Sequence, residues 1–237
     1  MRWLVSLILS LLPGMAFAAG PACQLPATIA APHAELPSSR EPARRIPIGG
    51  YTLSMSWSPQ YCRGHSGGGS FQCDGPQRFG FTLHGLWPDG EGAEWPQYCR
   101  PVEILPEALI RQHLCATPSP QLLQHEWAKH GSCMASDPAR YFAVEERLFR
   151  AVRVPDMTTL SRRAVTAGAL TQAFARANPQ LPRNSFVIAT DQRGWLEEVR
   201  ICHSPAMKPR ACRADQRGAA PGQRVLIWRG GAAAPAN

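Results

Sequence analysis

Apolar side chains recur along this chain with two different spacings, and these spacings predict where its strands and helices lie. Residues 51–57 (YTLSMSW) carry them at every second position, the spacing of a half-buried strand. Residues 79–85 (FGFTLHG) repeat the alternation, with Thr82 and His84 on the polar side, and the Pro-Asp-Gly turn that follows is expected to end this strand. The same spacing predicts three later strands, over residues 185–191, 195–202 and 224–228.

Helical spacing occupies the middle of the chain. It predicts four helices, over residues 102–114, 120–130, 138–152 and 168–177. Gly131 is expected to end the second of them. A short turn at residues 192–194 joins two of the late strands into an antiparallel hairpin. Because strands lie at both ends with helices between them, the predicted fold class is α+β.

The N-terminal residues predict export from the cell. Residues 1–18 combine Arg2, an apolar run and a small-residue cleavage site at Ala16 and Ala18, which is typical of a secretory signal peptide. Neither this run nor any later one reaches the roughly 18 apolar residues of a membrane-spanning helix. Residues 19–47 are rich in Ala and Pro without periodicity and predict a poorly ordered leader. Residues 48–237 contain no internal repeat, so we expect a single domain.

Cysteine content indicates a compartment, and the net charge indicates a possible partner. Eight cysteines, an even number in an exported chain, predict disulfides, although sequence alone leaves about a hundred pairings open. The formal net charge of +8 is spread along the chain. It fits either binding to a polyanion or an ordinary arginine-rich surface. We therefore expect a protein of the periplasm or the extracellular medium, free of the membrane after signal cleavage.

Residues 125–133 (HEWAKHGSC) contain an unusual group of polar side chains. Lys129 is one of only two lysines among 25 Lys and Arg residues. On an α-helix that turns about 100° per residue, His125, Glu126, Lys129 and His130 share one face, with the two histidines about 140° apart. The segment nearly matches the zinc motif H-E-x-x-H, but a lysine stands where the second histidine is required. We therefore expect neither a metal nor another cofactor.

Acid–base chemistry on a phosphate explains this group better. Cleavage of RNA through its own 2′-hydroxyl needs one group to remove that proton, another to protonate the departing 5′-oxygen, and a cation to stabilise the charge on phosphorus-bound oxygens. Histidines titrate near neutral pH and suit the first two roles, while lysine provides a compact charge. Spacing alone leaves equally open the alternative that these are ordinary hydrogen-bonded polar side chains.

Three segments resemble a known family. FTLHGLWPDG (81–90) and HEWAKHGSC (125–133) look like the two signature segments of the ribonuclease T2 family, and YTLSMSWSPQYC (51–62) resembles the strand that opens its domain. The resemblance implies an α+β fold with a central antiparallel sheet flanked by helices. It also implies metal-independent endonucleolytic cleavage of single-stranded RNA with low base specificity, giving 2′,3′-cyclic phosphate and then 3′-phosphate ends. DNA lacks the 2′-hydroxyl and is not expected to be cut.

The resemblance assigns a role to each member of the polar group. His130 matches one catalytic histidine and is assigned as the general base, and His84 matches the other and is assigned as the general acid. Glu126 and Lys129 match the pair that stabilises the pentacovalent phosphate. His125 matches the histidine that holds and orients the phosphate. With both histidines acting, activity is expected to follow a bell-shaped pH dependence.

Base binding and the disulfide pairs also follow from the resemblance. Trp95 matches an aromatic side chain that stacks on the base, with Trp87 and Asp89 nearby, although both tryptophans could instead be core residues. The pairs that resemble family bridges, or that remain once those are assigned, are Cys99–Cys133, Cys202–Cys212, Cys62–Cys73 and Cys23–Cys115. We expect a monomer acting on single-stranded RNA. The alternatives are a catalytically silent exported protein that binds RNA or another polyanion, and a disulfide-rich interaction protein.

Overall fold

The structure, a computed structural model, describes residues 23–230, and the centre of this region is a four-stranded antiparallel sheet. The strands are β1 (Gly50–Trp57), β2 (Phe81–Asp89), β3 (Val165–Thr166), β4 (Phe186–Thr190), β5 (Leu196–His203) and β6 (Arg224–Val225). The central sheet has the order β2-β1-β5-β4, and β3 pairs with β6 in a separate two-stranded sheet. The predicted signal peptide lies outside the described residues.

Helices pack around this sheet and confirm the α+β class. They are α1 (Ser58–His65), α2 (Phe71–Asp74), α3 (Glu107–His113), α4 (Pro120–Glu126), α5 (Ser132–Met134), α6 (Pro138–Arg150), α7 (Met157–Leu160) and α8 (Ala167–Ala177), with a π-helical turn at Trp127–Gly131 and a 3₁₀ turn at Arg183–Ser185. The sequence did not predict α1, and α3 is shorter than predicted because its first helical residue follows Pro106. Among the described helices, none is sufficiently long and apolar to cross a membrane.

The two faces of the central sheet have different environments. In β1, Leu53 and Met55 are fully buried on the side that packs against the helices. Thr52, Ser54 and Ser56 alternate with them and lie on the opposite, polar face. Because β1 is flanked by β2 and β5, both of its edges are paired, and its polar face is where the candidate site is built.

Helix α6 covers the outer edge of β2. Leu86 of this edge strand donates its N–H to Glu145 Oε2 (3.1 Å) and accepts a hydrogen bond at its carbonyl from the Tyr141 hydroxyl (3.2 Å). Tyr141 and Glu145 are each 1% exposed, so these backbone groups would otherwise be buried without partners. The helix therefore satisfies a strand edge that would be open to another chain.

Strand β2 is longer than predicted and contains a β-bulge. It continues through Pro88 to Asp89, which an edge strand tolerates because the missing proline N–H is not needed for pairing. Gly85 lies opposite Ser54 and Leu83 lies opposite Met55, so His84 is an extra residue without a partner in β1. A bulge turns two successive residues toward one face. Here it places both His84 and Gly85 on the polar face.

The helix predicted over residues 120–130 continues past Gly131. Ser119 caps it by accepting a hydrogen bond from the Leu122 N–H (3.2 Å), and α4 then passes through the π-helical turn into α5. Gly131 is needed for packing, since a Cβ at this position would lie 2.5 Å from Trp127 Cε3 and 2.8 Å from the Tyr141 ring. The prediction that Gly131 ends the helix was wrong because a glycine that terminates a helix and one that permits close packing look the same in sequence.

Residues 23–47, the described part of the predicted leader, lie against the domain. They have almost no regular secondary structure, but Ile29 is buried in the core, and Arg44 pairs with Gln97 through two backbone hydrogen bonds (2.8 and 3.0 Å). The prediction of a poorly ordered segment was wrong here because long-range contacts, which leave no periodicity in the sequence, fix the path of this part of the chain. We call residues 23–47 the leader segment.

The structure confirms the predicted disulfide pairs. They are Cys23–Cys115, Cys62–Cys73, Cys99–Cys133 and Cys202–Cys212. Cys99–Cys133 links the loop after β2 to the end of the helix that carries the HEWAKHGSC segment. In the chain-entropy picture a loop of this length contributes roughly 3 to 4 kcal/mol to stability.

Candidate active site

His84 lies on the polar face of the sheet, where a carboxylate of a neighbouring strand holds its ring. Its Nδ1 is 2.5 Å from Glu198 Oε1, and the Ser56 hydroxyl lies 3.4 Å from the same ring nitrogen. Arg200 binds the other Glu198 oxygen through Nε (2.8 Å) and Nη2 (2.6 Å). Burial would raise the pKa of Glu198, but His84 and Arg200 outweigh it and lower this pKa to about 2. Glu198 is therefore an anion that holds Nδ1 of His84 and leaves Nε2 facing away from it.

The π-helical turn brings the second histidine segment together. In a π-turn the hydrogen bonds join residues five apart, and this wider turn at Trp127–Gly131 brings His130 closer to the face that carries His125 than an α-helix would. Their ring centroids are 6.3 Å apart, and ligand atoms of His125, Glu126 and His130 all lie within 4.8 Å of one another. The α-helical wheel, with about 140° between the two histidines, was wrong for this reason.

This closeness removes one of the two arguments against a metal and leaves the other. The ammonium group of Lys129 belongs to the same turn, and its charge helps to lower the pKa of both His125 and His130, after burial as the main cause. A nearby positive charge that disfavours imidazolium also disfavours a metal cation. The absence of a metal therefore stays a prediction, now based on charge rather than on the angle between the rings.

Glu126 connects the two segments. Its carboxyl group is 1% exposed, accepts a hydrogen bond from Trp87 Nε1 at Oε2 (2.9 Å), and places Oε1 3.5 Å from His84 Nε2. Burial raises the pKa of Glu126 to about 7, against the opposing effects of the His84 charge and the Trp87 hydrogen bond. Gly85 leaves the space for this carboxyl group, since a Cβ there would lie 1.9 Å from Glu126 Oε2.

The two histidines differ in protonation. Burial acts to lower the pKa of His84, but its hydrogen bond to Glu198 and the charges of Glu126 and Glu198 raise it above its usual value overall. Burial, with the charges of Lys129, His125 and His84, lowers the pKa of His130 well below its usual value. These opposite shifts favour His84 as the proton donor of the pair and His130 as the proton acceptor.

Two buried polar atoms of this group make no hydrogen bond with any residue in the 23–230 region. They are His130 Nδ1 and Glu126 Oε1. A buried polar atom without a partner costs stability, and in native proteins such atoms are concentrated where function requires them. Both residues line one cavity of about 520 Å³, together with His84, His125 and Lys129. These atoms can therefore be satisfied by a ligand in that cavity.

The same cavity is lined by the residues that were predicted to bind the base. Trp95 is 46% exposed, with its Nε1 donating to Gln97 (3.0 Å) and the Arg44 guanidinium 5.8 Å from its ring centroid, so the ring face away from Arg44 is available for stacking. Trp87 donates to Glu126 and lies 5.0 Å from the His84 ring and 5.7 Å from the His130 ring, between centroids. Asp89 accepts hydrogen bonds from Thr52 and from Gln216, which also lie in the cavity wall. Trp87 thus contacts the acid–base groups, while Trp95 stands at the rim.

Sequence reasoning missed four charged residues of this site. Glu198 and Arg200 come from β5, where the available signal in the sequence was a pair of charged residues at alternate positions of a strand. Glu35 and Glu41 come from the leader segment, where nothing in the local pattern points to the site. Glu41 contacts Lys129 Nζ, and Glu35 Oε2 lies 3.5 Å from His125 Nδ1.

Comparison with known proteins gives a consistent result. The model of the ribonuclease T2 family matches residues 48–212. A probable ribonuclease of Haemophilus influenzae is 33% identical over 181 residues, which cover 71% of this chain and 62% of that protein. A ribonuclease of Aeromonas hydrophila is 32% identical over 160 residues, 64% of this chain and 70% of that protein. The chain therefore spans less than two thirds of the length of the Haemophilus protein.

Solved structures show the same fold. RNase NT, whose crystal structure contains 5′-AMP, superposes with a TM-score of 0.58 over 76% of this chain and 98% of its own, at 21% identity. At this level of identity the likeness concerns the fold. Together with the family match over most of the described residues, it leads to one conclusion: the chain belongs to the ribonuclease T2 family.

Proposed function

We propose that this protein is an endoribonuclease that cleaves single-stranded RNA by transphosphorylation through the 2′-hydroxyl, without a metal. The observation that carries the proposal is the pair of histidines on one cavity with opposite pKa shifts, His84 raised and His130 lowered. An acid and a base that are both in the working protonation state at the same pH are what this reaction requires. The family match and the named ribonuclease relatives support the same substrate class.

The reaction proceeds in two steps in this proposal. Neutral His130 takes the proton of the 2′-hydroxyl while the 2′-oxygen attacks phosphorus, and protonated His84 gives its Nε2 proton to the 5′-oxygen as the P–O5′ bond breaks. The products are a 2′,3′-cyclic phosphate end and a free 5′-hydroxyl. In the second step the roles reverse: His84 removes a proton from water and His130 protonates the 2′-oxygen, which leaves a 3′-phosphate.

Glu126 and Lys129 stabilise the charge that develops on the phosphorane. Lys129 supplies a positive charge to the non-bridging oxygens. A Glu126 carboxyl group with a pKa of about 7 is largely protonated in mildly acidic solution, and a neutral carboxyl group donates a hydrogen bond where a carboxylate would repel the phosphate. His125, in the same helical segment, binds and orients the phosphate.

Low base specificity is part of the proposal. Trp95 offers an exposed ring at the cavity rim, and stacking on an aromatic ring contributes roughly 1 to 3 kcal/mol per base while accepting any base. Asp89 and Trp87 line the inner part of the same cavity. We also propose that the protein is exported to the periplasm or the medium, which its four disulfides support, and that it acts as a monomer, since one chain supplies every residue of the proposed site.

The proposal is tested by incubating the purified protein with a defined RNA oligonucleotide in excess EDTA and reading the new ends by mass spectrometry. We expect 2′,3′-cyclic phosphate ends first and 3′-phosphate ends later, and no cleavage of the DNA oligonucleotide of the same sequence. Binding of the RNA without any product would favour the silent polyanion-binding protein. Cleavage that EDTA abolishes would favour a metal-dependent nuclease.

Glu198 is expected to act through His84, and Glu198→Gln tests this role. Loss of the carboxylate lowers the pKa of His84, so less of it is protonated and the alkaline limb of the pH–rate profile moves to lower pH. We expect kcat for RNA to fall about 10- to 100-fold, because general acid catalysis is weakened but not removed. The cleavage rate of a uridine 3′-phosphodiester with a 4-nitrophenolate leaving group should fall little, because this leaving group needs no protonation.

The matched control is Glu197→Gln, which changes the neighbouring, exposed carboxylate of the same strand. This control should leave kcat for both substrates and the alkaline limb of the pH–rate profile unchanged. An equal loss on both substrates in Glu198→Gln would mean that Glu198 supports the fold rather than the proton donor.

A further inference from the structure

The leader segment is attached to the domain on both sides of the site. Cys23 is bonded to Cys115, and Ile29 is buried in the core. At the other end Arg44 pairs with Gln97, whose side chain also donates to the Pro42 carbonyl (2.8 Å). Between these anchors, residues 36–43 are exposed.

Two carboxylates of this segment contact Lys129 and His125 of the candidate active site. Glu41 pairs with Lys129 Nζ. Glu35 Oε2 lies 3.5 Å from His125 Nδ1, and its other oxygen accepts a hydrogen bond from Gln121 Nε2 (2.6 Å). The pKa of Glu41 is lowered, first by its hydrogen bond to Lys129, so this carboxylate stays ionised in mildly acidic solution.

Lys129 and His125 are the residues to which the proposed function assigns the phosphate. A carboxylate and a phosphate group both offer negatively charged oxygens to such donors. The Lys129 side chain is 13% exposed whereas that of Glu41 is 47% exposed, so Glu41 can move away more easily than the lysine it contacts.

Resting on the proposed function, we propose that the leader segment is an intramolecular competitor of the substrate: Glu41 and Glu35 occupy Lys129 and His125, the residues assigned to the phosphate, and an RNA phosphate must displace them. The anchors at Cys23 and Arg44 keep these carboxylates at a high local concentration. Glu41 lies in the exposed stretch between the anchors, which allows it to leave without unfolding the domain, and the Glu35 side chain next to this stretch is 25% exposed. The segment therefore weakens binding of RNA and leaves the chemical step intact.

The test compares Glu41→Gln and the double variant Glu35→Gln/Glu41→Gln with Glu94→Gln. The Glu94→Gln substitution also removes one negative charge at the rim of the same cavity. Glu94, however, contacts Arg44 (3.3 Å) and not Lys129 or His125. Two quantities are measured: KM and kcat for RNA, and the dissociation constant of a DNA oligonucleotide, which binds through its phosphates and is not cleaved.

We expect Glu41→Gln to lower both KM and the DNA dissociation constant about fivefold, the scale of a partly exposed ion pair, with a further decrease in the double variant and little change in kcat. Glu94→Gln should change them less. The inference is overturned if Glu41→Gln binds no more tightly than Glu94→Gln, or if it lowers kcat because Lys129 has lost a support. Absence of RNA cleavage by every variant, including the parent, would instead count against the proposed nuclease.

Discussion

Replacing His130 with alanine is expected to lower kcat for RNA cleavage by at least about 100-fold, and up to about 10⁴-fold, because the 2′-hydroxyl loses its proton acceptor. His84→Ala should cause a loss of the same order, because the 5′-oxygen must then leave as an alkoxide. Both are measured as initial rates on a polymeric RNA in excess EDTA, with circular dichroism to confirm that the variants fold.

The two variants should differ in activity toward the substrate with a 4-nitrophenolate leaving group. His84→Ala is expected to recover most of its activity there because this leaving group needs no proton, whereas His130→Ala is not. His65→Ala is the control, since it removes an exposed imidazole of α1 that is outside the cavity of His84 and His130. Near-normal RNA cleavage by either active-site variant would refute its role, and recovery by His130→Ala alone would reverse the assignment of acid and base.

Gly85→Ala is the second change with a large expected effect. The added methyl group would lie 1.9 Å from Glu126 Oε2 and 3.0 Å from Trp87 Nε1, and the buried Glu126 side chain has to move to admit it. We expect kcat to fall about 100-fold, the scale of removing one group that stabilises a transition-state charge, and the free energy of unfolding to decrease by about 1 to 3 kcal/mol. Steady-state kinetics and urea denaturation measure the two effects.

Gly92→Ala is the matched control for this substitution. Gly92 lies in the loop after the same strand, and a Cβ there meets no atom within 4 Å. It should change neither kcat nor stability appreciably. If Gly85→Ala were equally silent, Glu126 would not be held where the structure places it.

Most of the fold could be predicted from the sequence because apolar and polar residues alternate so regularly in the strands. The apolar side chains of β1 repeat at every second residue and do face the core, which is why its limits were predicted within one residue. The end of strand β2 was predicted four residues too early, since Pro88 is compatible with a strand only at a sheet edge, and edge position depends on the tertiary fold.

The polar group of the site was predicted as a set, but its geometry was not. A π-turn has no sequence pattern distinct from an α-helix, so the closeness of His125 and His130 could not be derived from α-helical spacing. Glu198 and Glu41 reach the site from segments far along the chain, and only the folded path brings them to His84 and Lys129.

The proposed reaction depends on two imidazoles on one cavity that have unequal affinities for a proton, and NMR titration of the histidine rings measures these affinities directly. With His84→Ala and His130→Ala used to assign the signals, we predict that His84 titrates above the usual histidine value and His130 below it. Activity should then rise as pH increases through the His130 transition and fall as it passes the His84 transition. A His130 ring that titrates above His84 would refute the proposed roles of the two histidines.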